Sequence, residues 1–557
     1  MQSSARTRVD EAHAGALESS PAVGTAARFD APPSSERAPS AHAHRRAVEP
    51  AGEFDYVLLS DVHLGSDLVA HVRPWARTSW LTTEAAVDDQ LVSLLEHHRR
   101  ERPQGRPLCV VMAGDFLDLV GVSLAPDGPL RTTPNFEEQQ YGLGSAADHV
   151  VHKVWAIARR HPRVFRALME LCADGNRLVV VRGNHDIELF WHSAQRALID
   201  AICDYAPPEA RATIASRIAI QPWFFVVEGL LYVEHGHQFD AMCSYGDPLL
   251  STCPRDSRRI LRVPFSVMLR NVARPTRGLS TARYEHTSFG GYLGLLVALG
   301  FYGSLRIAVR FARAATCLVG TWISHVRGDG NRRRHITQVR KTRFAAHAQL
   351  TTERLSALES LYVKPASHSL SFVLRSIYLD RVFAFVCAGL LVVLAALLAR
   401  SYGVWQSLLC CVPAALFASY ACIGVDRGIV PTRRMQTSAA RIAELFGARW
   451  VVMGHTHQPV MKELPSGARY VNLGHWGEDD VPEERDQHRT TTCTYLHVRF
   501  DASLTRGASA GPGAGYRAEL RCWDASAGSS LAVLDNDGET PATSQENGLM
   551  PGVPQSV

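Results

Sequence analysis

Five short apolar runs punctuate this chain, and each ends in a polar cluster. "FDYVLLSDVHLGS" stops at Asp61 and His63, and "PLCVVMAGDFLD" at Gly114, Asp115 and Asp118. "RLVVVRGNHD" stops at Gly183, Asn184, His185 and Asp186, and "LLYVEHGHQFD" at His235, Gly236 and His237. The last, "ARWVVMGHTHQP", stops at Gly454, His455 and His457. Short β-branched runs closed by such residues predict buried strands. Between the first three, "TEAAVDDQLVSLLEHHRRE" and "SAADHVVHKVWAIARRH" carry apolar residues at helical spacing. Strands alternating with helices predict an α/β fold, with helices covering the sheets.

Polar loops at the carboxyl ends of neighbouring strands meet on one rim, where α/β folds place their sites. That rim gathers Asp61, His63, Asp115, Asn184, His235, His455 and His457. Carboxylate, imidazole and one amide oxygen, without thiolate, suit Mn, Fe, Zn or Co. So many donors exceed the needs of one tetrahedral ion and fit two divalent ions sharing a carboxylate. Glycines before Asp115, Asn184 and His455 let the chain turn tightly, so that the next side chain faces the metals. Each motif alone is commonplace; five in order, each closing an apolar run, make a site.

In the order DxH, GDxxD, GNHD, HGH, GHTH the chain resembles the calcineurin-like metallophosphoesterases, over residues 54–240 and 440–500. The resemblance implies a four-layer αββα sandwich around a dimetal centre. It implies Asp61, His63 and His457 on one metal, Asn184, His235 and His455 on the other, and Asp115 bridging, with Mn the first choice of ion. It makes His185 the acid beside the scissile phosphate, steered by Asp186. Two metals would lower the pKa of a shared water and clamp the phosphate oxygens, the resulting hydroxide attacking phosphorus. A histidine near neutral pKa would protonate the departing oxygen. "SDVHLGS", "HGHQFD" and "YVNLGHWGE" are similar to the bacterial UDP-2,3-diacylglucosamine hydrolase-like branch, which cleaves a lipid-linked pyrophosphate at the membrane. That branch usually carries Asp at the place of His237 and often Arg at that of His185. His237 then reads as a partner behind the ligands or simply as a loop residue.

A long insertion separates His237 from His455. It holds the apolar runs Phe289–Ile323, Val382–Ala399 and Val404–Val425, with a basic stretch, Arg332–Arg343, between the first two. A spanning helix needs about 20 apolar residues. The second and third runs, 382–399 and 404–425, predict a transmembrane hairpin joined by a link at 400–403. Two crossings return both halves of the metal site to one side. Arg375, Arg381, Arg427, Arg433 and Arg434 flank the hairpin, against Arg400 in the link, which predicts a cytoplasmic catalytic domain on the cell inner membrane. Residues 306–323 read as an amphipathic interfacial helix, with two further crossings within 289–323 as the alternative, and the basic stretch as a contact with anionic head groups or a solvated loop.

Composition changes this picture little. A net charge of +5 over 557 residues does not point to nucleic acid. The 12 cysteines form no CxxC pair, which predicts a reducing compartment and no disulfide framework. The expected organisation is a disordered leader, 1–52; the phosphoesterase domain in two parts, 53–240 and 441–525; a helical, membrane-associated insertion, 241–440; and a disordered tail, 526–557. The expected activity is hydrolysis of a phosphate ester or pyrophosphate, on a phosphorylated small molecule or a lipid-linked substrate. The alternatives are a phosphodiesterase on soluble nucleotides and a non-catalytic membrane scaffold.

Overall fold

The computed structural model describes residues 47–68, 84–101, 105–125, 128–275, 289–328, 330–369, 371–372, 379–402, 404–422, 431–477, 492–505 and 513–533. The leader up to residue 46, the tail beyond 533, residues 423–425 of the third apolar run, and the flanking Arg375 and Arg427 lie outside these residues.

The first half alternates strands and helices: β1 (Val48–Glu49), β2 (Asp55–Leu59), α1 (Glu84–Arg100), β3 (Leu108–Ala113), α2 (Phe136–Tyr141), α3 (Ala147–Arg160), α4 (Pro162–Ala173), β4 (Arg177–Val181), α5 (His192–Cys203), α6 (Pro208–Ala215) and β5 (Ile218–Gln221). It continues through β6 (Phe225–Val227) and β7 (Leu231–Val233). The insertion supplies α7 (Pro264–Met268), α8 (Phe289–Arg327), α9 (Gly330–Ala348), α10 (Thr352–Glu359), α11 (Leu379–Tyr402) and α12 (Val404–Cys422). After it come α13 (Pro431–Phe446), β8 (Trp450–Met453), β9 (Val460–Glu463), β10 (Arg469–Asn472), β11 (Thr494–Phe500), β12 (Tyr516–Asp524) and β13 (Ser529–Ala532).

The strands form two sheets. One runs β13-β12-β11-β2-β3-β4-β5, with β2 to β5 parallel; the other runs β1-β6-β7-β8-β10-β9. Alternation along β2 shows why they stack. Tyr56 and Leu58 pack with Val233, Trp450 and Val452 of the second sheet. Val57 and Leu59 face the other way, among residues of α1, α3, α4 and α5. Period-2 side chains buried on both faces place helices, sheet and sheet in layers. The outer face of the second sheet, Val226, Tyr232, Val451 and Tyr470, is covered by α9, α10 and α13. The fold is mixed α/β, and its central sheets present β2, β3 and β4 opposite β7 and β8. Glu49 and Val48, read as the end of a leader, pair in parallel with β6, and Ser529–Ala532, read as tail, pair with β12.

The transmembrane hairpin expected in the insertion does not stand. Among the described residues no helix is long and apolar enough to cross a membrane. Within α11 the apolar run is closed by Arg381 and Arg400, leaving it short of the roughly 20 residues a span requires. Its neighbour α12 has 19 described residues and is interrupted by Pro413. These two helices pack on each other, with Tyr420 Oη donating to Asp380 Oδ2 at 2.7 Å.

The earlier run, expected to lie on a membrane surface, packs in part against the protein itself. Gly300 breaks α8 with φ 66° and ψ −178°. Beyond that break, Ala314 and Leu318 bury their side chains against Ala241, Met242, Val267 and Val272 of the same chain. The basic stretch is likewise used internally. Arg333 donates to the carbonyls of Thr252 (2.9 Å) and Leu250 (3.1 Å), and Arg340 to that of Leu249 (2.8 Å). Hydropathy along a string cannot register which part of a run the protein itself covers: Ala314 and Leu318 are buried, while Phe301, Leu305 and Val309 stay exposed.

Candidate metal centre

The polar ends of β2, β3, β4, β7 and β8 converge. Asp61 follows β2, and its Oδ1 lies 3.2 Å from His457 Nε2, 3.8 Å from His63 Nε2 and 3.9 Å from His235 Nε2. Asp115 follows β3, with Oδ2 3.1 Å from His235 Nε2. Asn184, after β4, places Oδ1 3.0 Å from that same nitrogen. His455, after β8, donates its backbone N–H to Asp61 Oδ2 at 3.0 Å. The seven residues drawn from strand ends therefore share one cluster. Within it, Asp61, His63 and His457 form one metal-sized group, and Asp61, Asp115 and His235 another.

Backbone conformation singles out the same residues. Asp61 (φ 56°), His63 (53°), Asp115 (53°), His455 (70°) and His457 (58°) all lie in the left-handed region. A non-glycine residue held there costs on the order of 1–3 kcal/mol and persists where the surroundings impose it, typically at a site. The glycines act differently from the expected tight turn. Only Gly114, of the three, has a positive φ, 94°. At Gly183 a Cβ would overlap Asp115 Oδ1, and at Gly454 it would overlap Ser60 Oγ and Asp61 Oδ2. These two are glycine because a carboxylate needs the space.

The donors fit divalent metal ions. Asp61 Oδ1 and His63 Nε2 are buried without a hydrogen-bond partner, an arrangement costly unless a cation satisfies them. Burial opposes ionisation of Asp61, but His235 and then His457 outweigh it and hold the carboxyl well below its usual range. Burial likewise opposes protonation of His235, and Asp115 and Asp61 reverse it, lifting the imidazole to about 10.

Beside the cluster stands His185, its ring centroid 4.3 Å from that of His63. Its backbone N–H donates to Asp115 Oδ1 at 2.8 Å. The imidazole is not steered by Asp186. Instead Nδ1–H donates to Asp118 Oδ1 at 2.7 Å, and Asp118 is fully buried. Asp186 faces backbone, accepting from Gly183 N at 2.6 Å and Phe116 N at 2.9 Å. It braces the two ligand loops against each other. Burial, then Asp115, raises its carboxyl to about 7. For His185 burial is outweighed by Asp118 and Asp115, so its pKa stands above the ordinary imidazole value.

Asp240 also escaped the sequence reading. Its Oδ2 lies 3.1 Å from His455 Nε2, which orients that ring and leaves Nδ1 as the donor for a metal. A carboxylate three residues after His237 in "HGHQFD" was the available signal. His237 itself is buried behind His235, its ring 5.6 Å away, with Nε2 3.0 Å from Gln238 Nε2.

Fold and site define a metal-dependent hydrolase of phosphoric esters. Residues 54–263 match the calcineurin-like phosphoesterase family, whose centres are dimetal-dependent. No curated protein matches the chain.

Proposed function

We propose that this hydrolase cleaves a phosphate ester or pyrophosphate with His185 as the acid for the departing oxygen and Asp61, His63, Asp115, Asn184, His235, His455 and His457 as its metal ligands. The observation that carries the reading is the set of ligands held at positive φ around buried, unpartnered Asp61 Oδ1 and His63 Nε2. Two divalent ions, when bound, supply an activated water and a clamp on the phosphate oxygens. Asp115, which faces both His235 and the His63–His185 side, would be shared between the two positions. Asp118 fixes the His185 tautomer with the proton on Nδ1, so Nε2 is the nitrogen that serves the leaving group.

The lipid-linked substrate was argued from a membrane tether, and without the tether the reading stays with the phosphate bond itself. Likeness to the UDP-2,3-diacylglucosamine hydrolase-like branch, and with it pyrophosphate cleavage, rests on "SDVHLGS", "HGHQFD" and "YVNLGHWGE". Among the described residues the cysteines form no disulfide, which supports a reducing, cytoplasmic setting for the domain. Turnover of bis-p-nitrophenyl phosphate with added Mn²⁺, together with metal analysis, tests the reading. Asp115→Asn should lose metal and about 10²-fold or more in kcat. Wild-type kinetics in Asp115→Asn would remove Asp115 from the centre.

A further inference from the structure

The matched segment stops at residue 263, yet the chain next to it returns to the acid. Phe265, in α7, sets its ring against that of His185, centroids 5.2 Å apart and 60° between planes. The helix continues as a π-turn, Leu269–Ala273, and Arg274 caps it. Arg274 reaches back across the loop after β2: Nη1 donates to Ser66 O at 2.8 Å, and Nη2 pairs with Asp118 Oδ2.

Asp118 is therefore gripped on both oxygens. Oδ1 takes His185 Nδ1–H and Gly121 N (2.9 Å), and Oδ2 takes the guanidinium. Gly121 supplies an independent sign that this pair matters. A Cβ there would overlap both Asp118 oxygens and come within 2.7 Å of Arg274 Nη2. The loop has kept the space empty for the pair. Without Arg274, a fully buried carboxylate would lose a guanidinium partner and its fixed orientation.

We propose that Arg274 is a positioning residue, supplied by the insertion, that locks Asp118 and through it aims His185 at the leaving oxygen. The insertion is then a working wall of the active site. This rests on the reading of His185 as the acid. A simple structural pin would sit in the same place, but it would slow all substrates alike. An aiming device is felt only where the leaving group needs a proton.

The experiment compares diphenyl phosphate, a poor leaving group, with bis-p-nitrophenyl phosphate, a good one, in full-length protein with Mn²⁺. His185→Ala is the reference. Arg274→Ala should lose about 30-fold in kcat on diphenyl phosphate and about threefold on the activated ester, with KM and metal content held. Arg274→Lys should recover part of the loss. Adding Arg274→Ala to His185→Ala should cost little more, because both act through one group. Gly121→Ala should reproduce the discrimination, and carries the comparison if Arg274→Ala does not fold. Equal losses on the two esters, additivity with His185→Ala, or loss of metal would overturn the inference. If His185→Ala itself treats the esters alike, the acid reading fails and this inference with it. If His185→Ala discriminates and Arg274→Ala does not, only the inference falls.

Discussion

Asp118 Oδ1 lies 2.7 Å from His185 Nδ1, while both oxygens of Asp186, the next residue in the chain, are turned to backbone amides. The two carboxylates thus have separable duties. Asp118→Asn should lower kcat on diphenyl phosphate by about 10²-fold and spare bis-p-nitrophenyl phosphate, since only the aimed acid is lost. Asp186→Asn should loosen the loops carrying Asp115 and Asn184, lowering metal content and slowing both esters together. Steady-state kinetics beside metal analysis tell these apart, and the opposite pattern would return the steering role to Asp186.

The left-handed ligands store strain that function requires and stability does not. His457, at φ 58°, is the most accessible of them, with a quarter of its side chain exposed. Glycine tolerates that backbone and alanine does not. In chelator, His457→Gly should be more stable to heat than His457→Ala by about 1 kcal/mol, reversing the usual order in which glycine destabilises. Alanine matching or exceeding glycine would mean that the backbone is not strained there.

How much of this was readable beforehand follows from where the chemistry sits in the chain. The ligands lie at the ends of apolar strands with glycine beside them, so local pattern exposes them. Asp118 and Asp240 sit in the same strings, but their partners, His185 and His455, lie far along the chain, and spacing cannot pair them. Arg274 belongs to a stretch without periodicity, and only the π-turn after α7 aims it. Strands β9 and β13 are half-exposed edges lacking an apolar run, so they gave no signal. In the insertion, a count of apolar residues passes over the charges Arg381 and Arg400 that close the run of α11 and the Pro413 inside α12, and in α8 it ignores the break at Gly300 and the protein surface waiting for Ala314 and Leu318.

Behind the acid lies a buried ion pair. Lys153 Nζ, fully enclosed, donates to Leu119 O at 2.7 Å and to Glu188 Oε2 at 3.0 Å, joining α3 to the loops after Asp118 and Asp186. Burial pushes Lys153 below and Glu188 above their ordinary values, each partly held back by the other. Lys153→Met strands the Glu188 charge and should cost about 3–5 kcal/mol. Lys153→Met combined with Glu188→Leu should recover most of that, since an apolar pair needs no compensation. Urea denaturation of the single and double variants decides it, and a double variant as damaged as the single would refute the stranded charge.

Acid should unfasten the insertion from the domain through Glu138. Both its oxygens hold Arg259, from Nε at 2.8 Å and Nη2 at 2.7 Å, while Asn135 N and Asn135 Oδ1 close a capping box on α2. Burial favours the neutral acid, but Arg259 and the Asn135 amide outweigh it and keep the carboxyl below its ordinary 4.5. A carboxyl whose folded pKa is depressed contributes stability that is fully present above its unfolded pKa. That stability is lost as pH falls through the folded value, because the unfolded chain takes up the proton first. Glu138→Gln should therefore be less stable than wild type at neutral pH and should lose less between pH 4.5 and the folded pKa. Denaturant midpoints measured across that window should converge as the pH drops. Parallel curves would mean that the Glu138–Arg259 bridge contributes nothing to the acid limb.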